Sequence, residues 1–560
     1  MARHRWLQRL GVFALATLTF GGTALIRATP ALAASPPDHV LYWNDVVIRA
    51  FRTQGGPPTP LSRAGAMVHG AIYDAANSAS CALSAAQCLG QQYLVTVAPT
   101  PGVVPQFETA IDYAAYTTLR AVFPSQNFDA DLATAQSDIP ASASRTEGQR
   151  VGTVAANTMI NARANDGSTN NTPYTWSTDP GFWRPTGSGP PATPNWGLVT
   201  PFTLTSGSQF RPPPPAGISA MPQLLASTQY ATNFNDVKDL GRYNSTSRTA
   251  DQTQAAFFWA NDVDTTYKPP GQHFAHTQAV SRQQGLTQAG NARLFALVAL
   301  AMADAAITAW DSKYLTPIDL WRPETAIHLA LDDGNGATSP DSAWLPLSVD
   351  RNGNRFSPPF PAYISGHATF VGAWAATMRG FFTTDNVRFT GGTDDPNAVG
   401  VTRTFNTFTA AAQEDARSRI YLGVHFQFDA DSGVSAGTSV GNYLFANRLR
   451  PVSSYTFTGF YESGFYYGDV IDSVAAPTWL TIQFRLTTSS GATVSDLGAI
   501  TGYSWNGNPG SVQPPTFNAS TGRYEIRAYV SKSCGGRVYP FTVLLRDGTS
   551  HTVQVDCDVV

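Results

Sequence analysis

Between Leu286 and Trp310 the chain carries its strongest helical signal, in which Leu294, Leu297, Val298, Met302, Ala305 and Ala306 recur at spacings of three and four. That recurrence predicts a long helix with an apolar face that other elements must cover. Similar alanine-rich patterns predict further helices over Arg63–Asn77, Phe107–Phe123, Glu147–Ala164 and Asp251–Asp262. Three more are expected over Gly366–Phe381, Thr409–Ile420 and Asp429–Phe445. Residues 34–60 read as extended. The Pro/Gly/Thr/Trp-rich tract from Asn165 to Gly217 has no period and reads as a long surface loop or lid. Its aromatics Tyr174, Trp176, Phe182 and Trp183 either line a substrate entrance or pack the loop down.

The texture changes near Pro451. Tyr455–Phe460, Trp479–Leu486, Tyr524–Val530 and Tyr539–Leu545 are short, aromatic and β-branched, and Asp547-Gly548 marks a turn before His551–Val555. The fold class is therefore mostly α: a large helical-bundle body over 34–450, followed by a small all-β sandwich-like accessory domain over 451–560.

Arg3, His4, Arg5 and Arg9 precede an apolar stretch from Leu10 to Ile26, and Ala31-Leu32-Ala33 supplies a small-x-small cleavage site. Residues 1–33 thus read as a secretory signal peptide. No uninterrupted apolar run of 18 residues follows it, so the mature protein is expected to be secreted, extracellular and without integral membrane association. Its four cysteines favour the near-neighbour pairings Cys81–Cys88 and Cys534–Cys557, which an oxidising destination allows. Only 13% of residues are charged, with 36 Lys plus Arg against 39 Asp plus Glu. So few cations argue against a nucleic-acid partner.

Against that background, three segments place cations and histidines beside element ends. Lys313 and Arg322-Pro323 follow the strongest helix. Ser365-Gly366-His367 opens another: serine is a helix cap, glycine lets a ligand approach the backbone, and the first-turn amides favour an anion. Arg419 precedes Gly423 and His425, with Asp429 four residues further on. Arginine offers a donor fork suited to oxyanions, and a carboxylate one turn from a histidine can fix its tautomer. Each segment alone is also compatible with an ordinary helix start, a surface ion pair or a buried histidine. Together they describe one oxyanion pocket, provided they meet in space.

These segments resemble the vanadium-dependent haloperoxidases of secreted bacterial type and the acid phosphatases of the type 2 phosphatidic acid phosphatase superfamily. That family carries a Lys…Arg-Pro segment, a Pro-Ser-Gly-His segment and a Ser-Arg…Gly-x-His segment. Here they appear as Lys313…Arg322-Pro323, Ile364-Ser365-Gly366-His367 and Ser418-Arg419…Gly423-Val424-His425. Thr325-Ala326-Ile327, Phe360-Pro361-x-Tyr363 and the early Arg63-x-x-Ala66-Met67-x-His69 stretch extend the likeness over roughly residues 40–450. Two departures stand out. Ile364 replaces the commoner proline, and Lys313 precedes Arg322 by nine positions where the family usually has seven.

The resemblance implies vanadate as cofactor, in a pocket that phosphate or sulfate also fits. Lys313, Arg322, Ser365, Gly366 and Arg419 would hold it. His425 would be the metal ligand, His367 the acid–base group and Asp429 the partner of His425. Hydrogen peroxide and halide would then be the substrates. The alternative is a soluble acid phosphatase that hydrolyses a small phosphomonoester through a phosphohistidine at His425, or an oxyanion-binding protein with neither activity. For the C-terminal domain the resemblance allows weak polymer binding and assigns no activity.

Overall fold

The computed structural model describes residues 36–187, 189–462, 465–466, 470–505, 512–531 and 537–559. The expected signal peptide and the Cys534–Cys557 pairing lie outside them.

The first element corrects the sequence reading. Residues 36–60, expected to be extended within 34–60, instead contain α1 (His39–Gln54) and the start of α2 (Pro58–Cys81). The β-branched Val40, Val46, Val47 and Ile48 imitate a strand locally. However, the Asp38 carboxylate accepts from the Leu41 amide at 2.9 Å and starts a helix, whose Val40, Trp43, Val47 and Phe51 face is fully buried. Packing therefore overrides propensity here.

The expected helices α3 (Phe107–Val122) and α5 (Ala143–Ala162) follow, with a short unpredicted helix, α4 (Asp129–Ala135), between them. Next come α6 (Met221–Leu225), α7 (Thr228–Leu240), α8 (Ala250–Ala260) and α9 (Lys268–Gln283). Helices α4, α6, α7 and α9 were not legible. Helix α9 opens on Lys-Pro-Pro-Gly, which reads as a turn although proline is tolerated in a first helical turn. Its buried face carries Gln272, His273, His276 and Thr277, so no apolar period marks it.

At the centre runs α10 (Gln288–Tyr314), with every residue from Gly290 onward buried. It is long and apolar enough to cross a membrane, yet it lies wholly inside the body, as a core helix does. Against it pack α2, α12 (Gly366–Phe382) and α14 (Gln427–Asn447), while α11 (Pro323–His328) and α13 (Phe408–Tyr421) complete the bundle. A hairpin of β1 (Phe389–Gly392) and β2 (Thr402–Phe405) covers α9.

Helices α12 and α14 approach unusually closely. A Cβ at Gly433, Gly437 or Gly441 would lie 2.8, 2.1 or 2.6 Å from the carbonyl oxygens of Ser365, Thr369 and Ala373. Glycine at every fourth position of α14 therefore lets the two backbones touch.

The C-terminal strands form two sheets. One has the order β4-β3-β6-β9-β8, from β3 (Thr456–Glu462), β4 (Phe465–Tyr466), β6 (Thr478–Thr487), β8 (Thr516–Asn518) and β9 (Arg523–Val530). The other has the order β5-β11-β10-β7, from β5 (Val470–Ala476), β7 (Ile500–Trp505), β10 (Val538–Leu545) and β11 (Ser550–Val559). Among the described residues, β5 and β11 are the pair that runs parallel. Alternating residues such as Ile482, Phe484, Ile526 and Phe541 make a second core between the sheets. The Cys81–Cys88 disulfide forms as expected, with S–S 2.05 Å. The Ala86 carbonyl in its loop accepts from Arg546 and Ser453, both at 2.9 Å, and so ties the β region to the body.

Candidate functional site

The three sequence segments meet. The last turn of α10 brings Lys313, the residue preceding α11 is Arg322, and the 356–365 loop leads into α12 with Ser365 as its cap. The Ser365 hydroxyl accepts from the Ala368 amide at 3.4 Å. Helix α13 ends just beyond Arg419, and the chain reverses at Gly423, whose φ of +83° suits glycine. It then delivers His425 one turn before Asp429. The close α12–α14 contact registers the two histidine segments: the Ser365 amide donates to the Asp429 carbonyl at 3.0 Å.

Hydrogen bonding fixes the tautomer of His425. Its Nδ1 lies 3.0 Å from Asp429 Oδ2, and its Nε2 lies 3.1 Å from Arg322 Nη1. A guanidinium can only donate, so Nε2 carries a lone pair and Nδ1–H donates to the carboxyl. The Phe426 amide donates to the same Asp429 oxygen at 3.0 Å. Burial, then Arg322, Lys313 and Arg419, hold the His425 imidazole well below its ordinary range, so it is neutral. Burial pushes Asp429 up to about 7, against the lowering effects of the Phe426 amide, Lys313 and Arg322.

His367 lines the same pocket. Its Nε2 donates to the Ala260 carbonyl at 2.9 Å, leaving Nδ1 as the proton-accepting nitrogen. Burial and the charge of Arg419 bring it down to about 4.

Three cations surround His425. Lys313 donates to the carbonyls of Pro361 at 2.7 Å and Ala362 at 3.2 Å. Its ammonium and the Arg322 guanidinium lie 4.9 and 4.7 Å from the Phe360 ring centre. The two extra residues between Lys313 and Arg322 are thus taken up before α11, and the lysine still arrives beside the arginine. Burial and Arg322 hold Lys313 well below its ordinary range. Arg322 donates to the carbonyls of Phe360 and Val424 at 2.7 and 2.6 Å, and Arg419 Nη2 donates to Asp262 at 2.7 Å.

What remains is decisive for a ligand. Arg322 Nη2 and Arg419 Nε and Nη1 are buried without a hydrogen-bond partner among the described residues. Buried guanidinium donors are costly unless satisfied. They stand beside the lone pair of a neutral histidine, a donor set that fits a tetrahedral oxyanion with a metal centre. A cavity of about 240 Å³ opens there, bounded by Gly366, His367, Arg419 and His425 on one side and by Trp310, Phe360, Pro358 and Pro359 on the other.

The 165–217 tract takes the second of its two sequence readings. Trp183 is buried, and Tyr174 and Trp183 pack on Tyr314 with ring centres 4.9 and 6.4 Å away. None of the four aromatics lines the cavity; Ala192 of the tract does.

Sequence reasoning missed Asp262, Lys268 and a buried polar cluster behind the site. Asp262 holds Arg419 and lies 3.8 Å from His367 Nε2. Burial alone would raise its carboxyl, yet Arg419, His367 and Lys268 together keep it below the ordinary value. The scarcity of charge in Asp262-x-Asp264…Lys268 was the signal available. His273 and Asp415 face each other at 3.8 Å and carry no motif.

Residues 293–453 match the family model of the VCPO second helical-bundle domain. The vanadium chloroperoxidase of Curvularia inaequalis is 31% identical over 236 residues, covering 33% of this chain. The match spans little more than a third, 37%, of that relative's length. A bacterial vanadium-dependent iodoperoxidase superposes with a TM-score of 0.60 at 25% identity, over 74% of this chain and 98% of its own. A holo-type bacterial vanadium-dependent chloroperoxidase shares the fold at 17% identity, with a TM-score of 0.52 over 75% of this chain and 94% of its own.

Proposed function

We propose that the chain belongs to the superfamily of vanadium haloperoxidases and type 2 phosphatidic acid phosphatases, and that it is a vanadate-dependent haloperoxidase that oxidises halide with hydrogen peroxide. The observation that carries the proposal is the set of partnerless buried donors on Arg322 and Arg419 around the Nε2 lone pair of His425. Lys313, Arg322 and Arg419 would neutralise the oxyanion, and the Ser365 hydroxyl and Gly366 amide would donate to its oxygens. His425 Nε2 would ligate the metal, with Asp429 retaining the proton on Nδ1. Bound vanadate would supply a Lewis acid that activates peroxide toward halide. His367 Nδ1 accepts a peroxide proton, because Nε2 is committed to Ala260. Trp310, Phe360 and the proline wall exclude water from the reacting oxygens. The leader-like residues 1–33 and the Cys81–Cys88 disulfide support secretion.

The test uses protein freed of metal, then given orthovanadate. Bromide-, chloride- and iodide-dependent halogenation of monochlorodimedone with peroxide is followed, beside hydrolysis of an aryl phosphate. The expected result is vanadate-dependent halogenation that His425→Ala abolishes. Phosphate release without halogenation, inhibited by vanadate, would make the protein a phosphatase with His425 as nucleophile. Vanadate binding with neither activity would leave an oxyanion-binding protein.

A further inference from the structure

Beside the catalytic cavity lies a second one of about 260 Å³, and the two share Gly56 and Pro57 as a common rim. Together they offer roughly 500 Å³, within the range of sites that enclose whole organic ligands. The rim is held from the catalytic side. The Gly56 amide donates to Asp264 Oδ1 at 2.9 Å, and the Lys268 ammonium pairs with the same oxygen at 2.9 Å. Its crest is low: a Cβ on Gly56 would meet nothing within 4 Å. A ligand in one chamber can therefore extend over Gly56 into the other.

The second chamber has a distinct chemistry. Leu61, Ala64, Val122, Phe123 and Trp196 give it apolar walls, Gln54 and Ser168 add polar groups, and Arg63 is the one charged residue lining it among the described residues. Arg63 belongs to a group with excess positive charge, since Arg63 and Arg163 share a single carboxylate, Asp166, each at 2.7 Å. An apolar chamber ending in an under-neutralised guanidinium recognises an apolar chain that ends in an anion. The catalytic chamber instead presents aromatic and proline walls around His367 and His425.

We propose that the two chambers form one substrate site for an elongated aromatic carboxylic acid, with its ring beside His425 and its carboxylate at Arg63. The position of the ring as the group to be halogenated rests on the haloperoxidase reading; the anchoring of the acid at Arg63 does not.

The probe is a series of ω-(4-hydroxyphenyl)alkanoates with two to eight methylenes, titrated calorimetrically into the full protein without vanadate, peroxide or halide. Affinity is expected to rise with chain length and level off once the carboxylate reaches Arg63. At that length the acid should bind ~10-fold more tightly than its methyl ester, the difference a charge-assisted pair makes. Ala64→Phe, which fills the second chamber, should remove both the length dependence and the preference for acid. Arg63→Gln should remove only the preference for acid. Thermal melting near the wild-type midpoint shows that each variant is folded. Equal binding of acids and esters at every length, or wild-type affinity for long acids in folded Ala64→Phe, would overturn the assignment. Length-dependent acid binding by a protein that never halogenates would refute the haloperoxidase reading and leave the Arg63 anchor standing.

Discussion

Asp415 gives the sharpest quantitative test of the buried electrostatics. It lies on α13, 1% exposed, with Oδ1 unpartnered among the described residues and Oδ2 3.8 Å from His273 Nε2. Burial is the largest influence on its carboxyl. Arg419 lowers it, Asp262 and Glu414 raise it, and the result is pushed up to about 8. His273 offers no compensating charge, because burial, His276 and His367 hold it well below its ordinary range. The folded protein therefore keeps a proton on Asp415 across a range in which the unfolded chain, at an ordinary value of 3.8, has released it. Between those limits the unfolded state binds fewer protons, so this group makes stability fall as pH rises, by ~1.4 kcal/mol per unit. From pH 5 to pH 7 the loss is about 2.7 kcal/mol. Asp415→Asn removes the titration and keeps the shape, and any fixed cost of the amide cancels in the comparison. Urea unfolding of both proteins at pH 5 and 7 should show the stability difference, variant minus wild type, growing by about 2.7 kcal/mol toward pH 7. A difference constant to within ~0.5 kcal/mol would mean that Asp415 is ionised and that Arg419 outweighs burial.

Two further outcomes follow from the same geometry. Asp429→Ala removes the acceptor that holds the proton on His425 Nδ1, so orthovanadate affinity measured by calorimetry should drop ~10–100-fold; unchanged affinity would show that Asp429 does not set the tautomer. Gly437→Ala puts a Cβ 2.1 Å from the Thr369 carbonyl oxygen. It should cost ~1–3 kcal/mol or more in urea unfolding and lower halogenation with it, because α12 carries His367 and α14 starts two residues after His425; a cost under ~0.5 kcal/mol would refute the close-packing account.

Local sequence determined what local physics encodes. The three- and four-residue recurrence in α10, α12, α13 and α14 gave helices at their expected places, and alternating aromatic and β-branched residues gave the main C-terminal strands. The i,i+4 spacing of His425 and Asp429 was enough to put carboxylate and imidazole one helical turn apart. Tertiary structure decided what depends on distant partners. The β-branched stretch 39–54 became α1 because its apolar face found a buried seat, and α9 stayed hidden because its buried face is polar. Asp262 and Arg419 stand 157 positions apart, a separation over which no periodicity carries information. Lys313, displaced by two positions from the family spacing, was returned to Arg322 by the segment between α10 and α11. The Gly56–Pro57 rim between the two chambers likewise exists only because α1, α2 and the 356–370 segment converge there. Short-range order follows from neighbours along the chain, whereas a site follows from which buried surfaces can close on one another.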